Sequence, residues 1–434
     1  MHVNYKDYFK DKKIAVIGIG PHGEMIADIK FLLRNKAKVS LFDTHSEERI
    51  KNYIMDLSIG GLHRFSFGKI IDIDLLEFDQ IILSTEVSYR STFLKKAIDA
   101  GIKIEYADIL FFKLAPPVTF VGVMGMYGKS TVVHLIYRML KKAFLEYDDQ
   151  GLFLLDSSST GGALTHLKKI KKGDVVLARI PESLIEYYYG IRMSPHVAVL
   201  TSVTSFKMLE FQTYNNFIVA TDEVIDSIKS RSSIISKAKI LRTRASSIPK
   251  EWGMEKKALH DQENASLALQ TSELFKVSKE ISMEVIQTFL GLRGHIEYIK
   301  KVANVDYYND ASSVSPASTL AALRAIYKDK NTTLIFGGAY TGQDYDLLIK
   351  NLSQYVSTVI LLPGSGTIGL RKHIEEIEGL EVYQVLNLED AVLKAKDSTK
   401  KEGIVLFSPG FDAVGVDVSR KERGERFVRA VREL

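Results

Sequence analysis

The sequence predicts an α/β protein made of three consecutive domains. Short apolar runs alternate with amphipathic stretches along the chain, and such alternation is typical of parallel sheets covered by helices. A length of 434 residues exceeds one comfortable hydrophobic core, so more than one domain is expected. The chain is punctuated at Pro116-Pro117, and a further region begins near Arg293. We therefore predict domains over residues 1–115, 116–292 and 293–434.

Each predicted element follows from the place where an apolar run starts and stops. The predicted strands are Lys13–Ile19, Lys38–Phe42, Gln80–Ser84, Lys103–Tyr106, Val118–Met124, Asp174–Ile180, His196–Thr201, Val305–Tyr308, Thr332–Phe336, Thr358–Leu362, Glu381–Val385 and Gly403–Phe407. The predicted helices are one that ends at Leu33, then Ser91–Ala100, Val132–Leu140, Ala258–Phe275 and Glu280–Leu290, with others between the strands of the third region.

The composition limits the classes of function. Hydrophobic residues make up 46% and charged residues 26%, which is typical of a globular protein. The net charge of +5 suits an anionic small ligand but is too small to predict nucleic-acid binding. The absence of cysteine excludes disulfides, thiolate metal sites and cysteine nucleophiles. We expect a cytoplasmic protein without membrane insertion, because we find no signal-peptide pattern and no membrane-length apolar run.

A glycine turn joins the first predicted strand to the first helix. Gly18-Ile-Gly20-Pro-His-Gly23 fits the G-x-G-x-x-G pattern, and Asp43 ends the second strand. Glycines let the backbone approach a phosphate closely, and an acidic residue in that place accepts a hydrogen bond from a ribose hydroxyl. The motif predicts a Rossmann-like first domain that binds a nucleotide.

A second glycine turn opens the helix of the middle domain. It reads Gly125-Met-Tyr-Gly128-Lys129-Ser130-Thr131 and follows a predicted strand. Backbone N–H groups of such a turn, together with the helix N-terminus, bind phosphate. Lys129 can reach the β- and γ-phosphates, and the Ser130 hydroxyl is the expected Mg²⁺ ligand. The strict spacing would place glycine at Val123, so this is a variant form. The alternative is an ordinary strand-to-helix turn.

Two nucleotide motifs in one chain allow two interpretations. The first is a dehydrogenase joined to a kinase-like module. The second is a nucleotide-sugar substrate on the first domain and ATP on the second. The second interpretation needs only one reaction, and we favour it.

Five segments in order resemble the Mur ligases, and the resemblance covers essentially the whole chain. Within the family the likeness is to the branch that adds D-glutamate. The segments are Gly18–Gly23 with Asp43-Thr44; Gly125–Thr131; His260–Asn264; Phe289–Glu297 with Tyr308–Ala311; and Gly337-Gly338 with Ser408-Pro409 and Arg423-Gly424. The resemblance implies a central P-loop ATPase-like domain with a mostly parallel sheet and a C-terminal Rossmann-like domain.

The resemblance also implies a reaction. ATP activates a carboxylate as an acyl phosphate, and an amine then displaces phosphate to form an amide. The implied substrates are UDP-N-acetylmuramoyl-L-alanine and D-glutamate. The implied site residues are Gly18, Gly20, Asp43 and Thr44 at the UDP group; Gly125, Gly128, Lys129, Ser130, Thr131, Asn264 and Asp310 at ATP; and Ser130 and Glu182 at Mg²⁺. We expect a monomer.

Several positions depart from the family pattern, and they are positions at which the family has metal-binding, phosphate-binding or substrate-binding residues. Ala178 or Arg179 stands where the family has a metal-binding glutamate, and Glu182 is the nearby replacement. The metal-binding histidine is missing from Thr201–Glu210. The other departures are Thr221, Ser312 and Thr341 in place of lysines, His295 in place of an arginine, and Ala413 and Arg420 in the amino-acid pocket.

These departures leave two hypotheses open. In one, the chain is a divergent ligase whose catalytic residues include Lys129, Glu182 and His295. In the other, it is a Mur-like paralogue that binds nucleotide or cell-wall precursor in a regulatory or scaffolding role. A ligase that adds glutamate to folate is a further candidate. The Gly18–Gly23 turn argues against it, since that enzyme lacks such an N-terminal domain.

Overall fold

The structure is a computed structural model, and it describes most of the chain. The residues it does not describe are 1–3, 21–22, 44–56, 58–60, 69–72, 86, 148–149, 157–161, 203–215, 232–237, 255–258, 290, 328–330, 340–342 and 412–419. Three sheets follow one another along the sequence. The predicted α/β class with three consecutive sheets is therefore confirmed. The predicted domain boundaries themselves stay a prediction.

The first sheet has five parallel strands in the order β3-β2-β1-β4-β5. β1 (Lys13–Ile17) lies at its centre, and its residues 14–17 are completely buried, as expected for a strand covered on both faces. The other strands are β2 (Lys38–Asp43), β3 (Arg64–Phe67), β4 (Gln80–Leu83) and β5 (Lys103–Tyr106). The helices of this region are α1 (Tyr5–Phe9), α2 (Met25–Arg34), α3 (Lys95–Asp99) and α4 (Ala107–Leu114), with 3₁₀ helices at Leu75–Glu77 and Thr92–Leu94.

The second sheet has six parallel strands in the order β11-β10-β9-β6-β8-β7. The strands are β6 (Thr119–Met124), β7 (Leu152–Leu155), β8 (Val175–Arg179), β9 (Val197–Leu200), β10 (Phe217–Thr221) and β11 (Lys239–Thr243). The helices are α5 (Lys129–Tyr147), α6 (Glu182–Gly190), α7 (Asp222–Arg231), α8 (Leu259–Glu273) and α9 (Lys279–Thr288), with 3₁₀ helices at Ala163–Lys168, Ala245–Ser247 and Lys250–Trp252. β6 lies between β8 and β9, two strands that follow one another in the chain, so the strand order reverses at β6. The carboxyl end of β6 is therefore a topological switch point, where ligands bind in such sheets.

The third sheet has six strands in the order β12-β13-β17-β14-β15-β16. β12 pairs with β13 in an antiparallel hairpin, and the other pairs are parallel. The strands are β12 (Glu297–Val302), β13 (Val305–Asn309), β14 (Thr332–Phe336), β15 (Thr358–Leu361), β16 (Glu381–Gln384) and β17 (Ile404–Phe407). The helices are α10 (Pro316–Ile326), α11 (Asp346–Tyr355), α12 (Ser365–Glu375), α13 (Leu388–Ser398) and α14 (Arg420–Glu433).

The chain divides into two compact units. The first comprises residues 1–254 and 261–287 and contains the first two sheets. The second comprises residues 255–260 and 288–434 and contains the third sheet. Within the described ranges, the structure holds no helix long and apolar enough to span a membrane.

Two helix predictions need correction. The helix predicted over Ser91–Ala100 is a 3₁₀ turn followed by the short α3, so it is not one continuous helix. The helix predicted to begin at Val132 begins three residues earlier, at Lys129, and extends to Tyr147. This earlier start places Lys129 in the first turn of a helix of 19 residues.

Candidate functional site

The turn after β6 has a backbone that only glycine accommodates at two positions. Gly125 has a φ of +139° and Gly128 a φ of +81°, in the region that favours glycine. A Cβ on Gly125 would lie 2.8 Å from the Ser202 backbone nitrogen, and one on Gly128 would lie 2.5 Å from Asn264 Oδ1. The turn therefore packs closely against the residues that follow β9 and against α8.

Residues at the end of β9 brace this turn. Met126 N donates a hydrogen bond to Ser202 Oγ at 2.7 Å. Thr201 Oγ1 donates to the carbonyls of Met124, at 3.2 Å, and of Tyr127. No local sequence pattern connects Thr201 and Ser202 to the turn, because they lie more than 70 positions further along the chain. The order of the strands brings them to it.

Lys129 folds back over the turn. Its Nζ donates to the carbonyl of Gly125 and, at 3.1 Å, to that of Met126. Burial lowers the pKa of Lys129 to about 8; the nearby positive charge of Arg179 lowers it further, and the negative charge of Glu182 opposes this. Ser130 and Thr131 follow in the same helical turn and are half-buried. The helix N-terminus, the glycine backbone and one lysine are thus gathered at one point.

Asn264 lies beside the same turn. It is buried at 8% exposure on α8, with Oδ1 directed at Gly128. The structure therefore brings together Gly125, Gly128, Lys129 and Asn264, which sequence analysis assigned to one nucleotide site. The contact with adenine that the resemblance implies for Asn264 stays a prediction.

Arg179 ends β8 next to this turn. Its partner in the sheet register is Val123 of β6. Arg179 Nε donates to Asp156 Oδ1 at 2.9 Å, and the Asp156 side chain is fully buried. Glu182 begins α6 and is exposed.

The described side chains around the turn do not form a metal site by themselves. Within the described ranges, no group of three or more His, Asp or Glu side chains is placed to hold one. The Mg²⁺ role of Ser130 and Glu182 therefore stays a prediction.

The glycine turn of the first sheet is shaped by Asp43. Ile19 N donates to Asp43 Oδ2 at 2.8 Å, and Asp43 is 1% exposed. Gly18 N donates to the carbonyl of Phe42 at 2.7 Å. Asp43 therefore has a structural function in the turn, and its role toward a ribose, like the UDP role of Gly18 and Gly20, stays a prediction. Thr44 lies outside the described residues.

A cleft within the first unit runs between the first two sheets and is rich in carboxylates. Its lining includes Gly20 and Ser84 of the first region and the acidic residues Glu24, Asp28, Asp108 and Asp156. Burial raises the pKa of Asp28 to about 8 and that of Asp108 to about 6. Asp28 accepts a hydrogen bond from Leu164 N at 2.7 Å. No local sequence pattern predicts this acidic lining, because Glu24 and Asp28 belong to α2 and its cap while Asp108 and Asp156 come from two other segments.

In the second unit, the segments Phe289–Glu297 and Tyr308–Ala311, which the resemblance pairs, contact each other. Glu297 Oε2 accepts from Gly294 N at 2.9 Å and from Asn309 Nδ2 at 3.0 Å. Ser312 N donates to the carbonyl of Gly294 at 3.0 Å. His295 is exposed in the turn between them, and its catalytic role stays a prediction.

Asp310 lies at the centre of a buried network in the second unit. Its Oδ1 accepts from Ile296 N at 3.2 Å, and its Oδ2 accepts from Ser408 Oγ at 2.7 Å. Burial raises the pKa of Asp310 to about 7. The network links Ser408, a landmark of the resemblance, to Asp310. The role of Asp310 toward ATP stays a prediction.

Known proteins resemble this chain over its whole length. UDP-N-acetylmuramoylalanine–D-glutamate ligase of Bdellovibrio bacteriovorus is 25% identical over 99% of this chain and 100% of its own. The crystal structure of the UDP-N-acetylmuramate-alanine ligase MurC of Thermotoga maritima superposes with a TM-score of 0.57 at 15% identity, covering 97% of this chain and 99% of its own. Full-length relatives at about 25% identity support the assignment of this chain to the Mur ligase family. No protein-family model matches it.

The family assignment agrees with the site in the first unit. Mur ligases are ATP-dependent amide ligases. The MurF ligase of Thermotoga maritima, solved in complex with ADP, superposes with a TM-score of 0.51 at 14% identity over 99% of this chain and 97% of its own. The resemblance that the five sequence segments indicate is therefore confirmed at the level of the family.

Proposed function

We propose that this Mur ligase uses ATP to join D-glutamate to UDP-N-acetylmuramoyl-L-alanine through an amide bond. The observation that carries the proposal is the Gly125–Gly128 turn, with Lys129 folded over it and Asn264 packed against it. The substrates come from the name of the full-length relative at 25% identity. ATP would supply the phosphoryl group that turns the substrate carboxylate into an acyl phosphate.

The residues present fit a triphosphate. The two glycines leave no room for side chains just before α5. Phosphate binds well at a helix N-terminus, because the first backbone N–H groups have no partner within the helix. Lys129 would move from the turn carbonyls to the β- and γ-phosphates and stabilise their charge. Ser130, in the first turn of α5, would meet a phosphate oxygen or the Mg²⁺ that enters with ATP as part of the substrate.

A second candidate function is nucleotide binding without ligation. It is favoured by Arg179, which stands at the end of β8 where the family pattern has a carboxylate, and by Ser312 in place of a lysine. The acidic cleft beside the first glycine turn points the same way. Negative charge on carboxyl groups that line this cleft, such as Glu24, would repel the diphosphate of a UDP-linked substrate.

The two candidates are separated by phosphate release. ATP is supplied with UDP-N-acetylmuramoyl-L-alanine and D-glutamate, and the amide product is followed by mass spectrometry. We expect substrate-dependent phosphate release in the wild type, and a decrease of about 10²–10³ in Lys129→Ala, as for the loss of one charge-stabilising group. Lys141→Ala is the matched control, because Lys141 is exposed on the same helix.

If the wild type binds ATP but releases no phosphate when both UDP-N-acetylmuramoyl-L-alanine and D-glutamate are present, the ligase proposal is wrong. Nucleotide binding without ligation is then the function that remains. Release that depends on the UDP substrate but requires another amino acid would keep the ligase and change its acceptor.

A further inference from the structure

Arg179 emerges at the same edge of the second sheet as the phosphate turn. β8 and β6 are parallel neighbours, and Arg179 stands opposite Val123, two residues before Gly125. The hydrogen bond from Ile180 N to the carbonyl of Val123, at 2.9 Å, continues the ladder past Arg179. The backbone position of Arg179 is therefore fixed relative to the strand that leads into the turn.

Asp156 orients the guanidinium. The contact from Nε to Asp156 Oδ1 measures 2.9 Å, and the Arg179 side chain is 21% exposed while that of Asp156 is 0% exposed. A guanidinium is planar and carries five N–H donors. One carboxylate can therefore fix the orientation of the guanidinium plane while the guanidinium binds a second anion. Asp108 lies close enough that the positive charge of Arg179 stabilises its ionised form.

The guanidinium is also a neighbour of Lys129. Lys129 begins α5 directly after the turn that β6 leads into, and β6 is the sheet neighbour of β8, which Arg179 ends. Two cations brought together beside a glycine turn repel each other, and both are only partly solvated. Such an arrangement becomes favourable when an anion lies between the cations, and a phosphate suits both of them.

We propose that Arg179 binds the terminal phosphates of ATP, so that nucleotide affinity depends on this guanidinium instead of on a metal ion held by protein carboxylates. The inference rests on the ATP binding of the proposed function but not on ligation. It agrees with the finding that, among the described residues, no three or more His, Asp or Glu side chains are placed to hold a metal ion. It also gives Asp156 a role as the positioning residue that holds Arg179.

The test compares nucleotide affinity with Mg²⁺ and with EDTA by calorimetry. We expect the wild type to bind ATP in EDTA within about threefold of its affinity in Mg²⁺. Arg179→Gln should weaken ATP binding in EDTA by about 10- to 100-fold, the range for losing a charged hydrogen bond, and weaken AMP binding much less. Arg179→Glu should bind ATP poorly in EDTA and recover in Mg²⁺. Arg242→Ala is the control, because Arg242 lies in β11 of the same sheet and pairs with Asp222.

Loss of Arg179 leaves Asp156 buried beside no guanidinium and can destabilise the fold. The double variant Asp156→Asn with Arg179→Gln removes both charges together. It should fold, as judged by its unfolding temperature, and it should show the same weak ATP binding.

Equal ATP affinity in wild type and in a folded Arg179 variant would overturn the inference and leave the ligase proposal standing. A wild type that binds ATP only with Mg²⁺ would also overturn it. Absence of any ATP binding would overturn both. Binding that depends on Arg179 in a protein that does not ligate would support the inference and contradict the ligase proposal alone.

Discussion

The charge of the candidate site changes with pH through Lys129. Without nucleotide, its ammonium contacts two backbone carbonyls and lies near Arg179. Burial, assisted by that guanidinium, lowers its pKa to about 8. A lysine in this state is close to losing its charge within an accessible pH range, and a bound phosphate would restore it because an opposite charge favours the protonated form.

This linkage predicts how ATP affinity changes with pH. Binding raises the pKa of Lys129, so the complex holds the proton more tightly than the free protein does. We expect constant affinity below about pH 8, and above it a loss of up to about tenfold per pH unit until the pKa of the complex is reached. Calorimetry in buffers of different ionisation enthalpy should detect proton uptake. Lys129→Arg, which stays charged, should show no such loss. A wild-type affinity that is flat to about pH 9.5 would contradict the assignment.

At the scale of elements, the joint between α2 and the 3₁₀ helix Ala163–Lys168 depends on one buried carboxyl. Asp28 of α2 is 2% exposed and accepts from Leu164 N, and a second backbone hydrogen bond comes from Ala163. Burial raises its pKa from 3.8 to about 8 in spite of these bonds. The protonated form is therefore the one that the fold prefers at neutral pH.

Asp28→Asn should stabilise the protein in a pH-dependent way. Because folding raises the pKa of Asp28, its contribution to the free energy of unfolding is fully present below the pKa of the unfolded state, 3.8. That contribution is lost as the pH rises toward about 8, the pKa in the folded state. The amide keeps an acceptor for Leu164 N and never ionises. The stability difference in favour of Asn should grow by at most about 1.4 kcal/mol per pH unit and become constant above about pH 8.

The measurement is urea unfolding at a series of pH values. Asp74→Asn is the control, since Asp74 also accepts a backbone N–H, from Leu76 at 3.0 Å, but at an exposed position. A difference in stability between Asp28→Asn and wild type that does not change with pH would show that folding does not raise the pKa of this carboxyl.

The elements also show how far the sequence predicts the structure. β5 and β14 have the predicted bounds, because each is an apolar run between clear breaks. Five strands among the described residues were not predicted: Arg64–Phe67, Leu152–Leu155, Phe217–Thr221, Lys239–Thr243 and Glu297–Val302. Four of these lie at a sheet edge, where partial exposure weakens the apolar pattern.

The same distinction holds within the site. Gly125, Gly128 and Lys129 lie within five residues of one another in the chain, so a local pattern identifies them. Ser202 contacts the turn, and Asp156 contacts Arg179, only because the order of the strands brings them together. No local sequence pattern contains that order. Arg179 was noted as a departure from the family pattern, but its contact with Asp156 is visible only in the structure.

At the scale of the whole molecule, the chain consists of two compact units, and the site at the Gly125 turn belongs to the first. The single tryptophan of the sequence, Trp252, also belongs to the first unit and is 6% exposed. A buried tryptophan becomes solvated when its surroundings unfold. Its fluorescence should therefore report the unfolding of the unit that contains the candidate ATP site, while circular dichroism reports helices of both units.

ATP should delay the unfolding that Trp252 reports. A ligand that binds only the folded state at 100 times its dissociation constant stabilises by about 2.7 kcal/mol. For a unit of this size that corresponds to a rise of about 5 °C in the midpoint followed by Trp252 fluorescence. Lys129→Ala should unfold at the wild-type midpoint without ATP and should lose the rise, whereas Lys141→Ala should keep it. If ATP leaves the Trp252 midpoint unchanged in the wild type, the first unit does not contain the nucleotide site, because binding to the folded unit cannot occur without stabilising it.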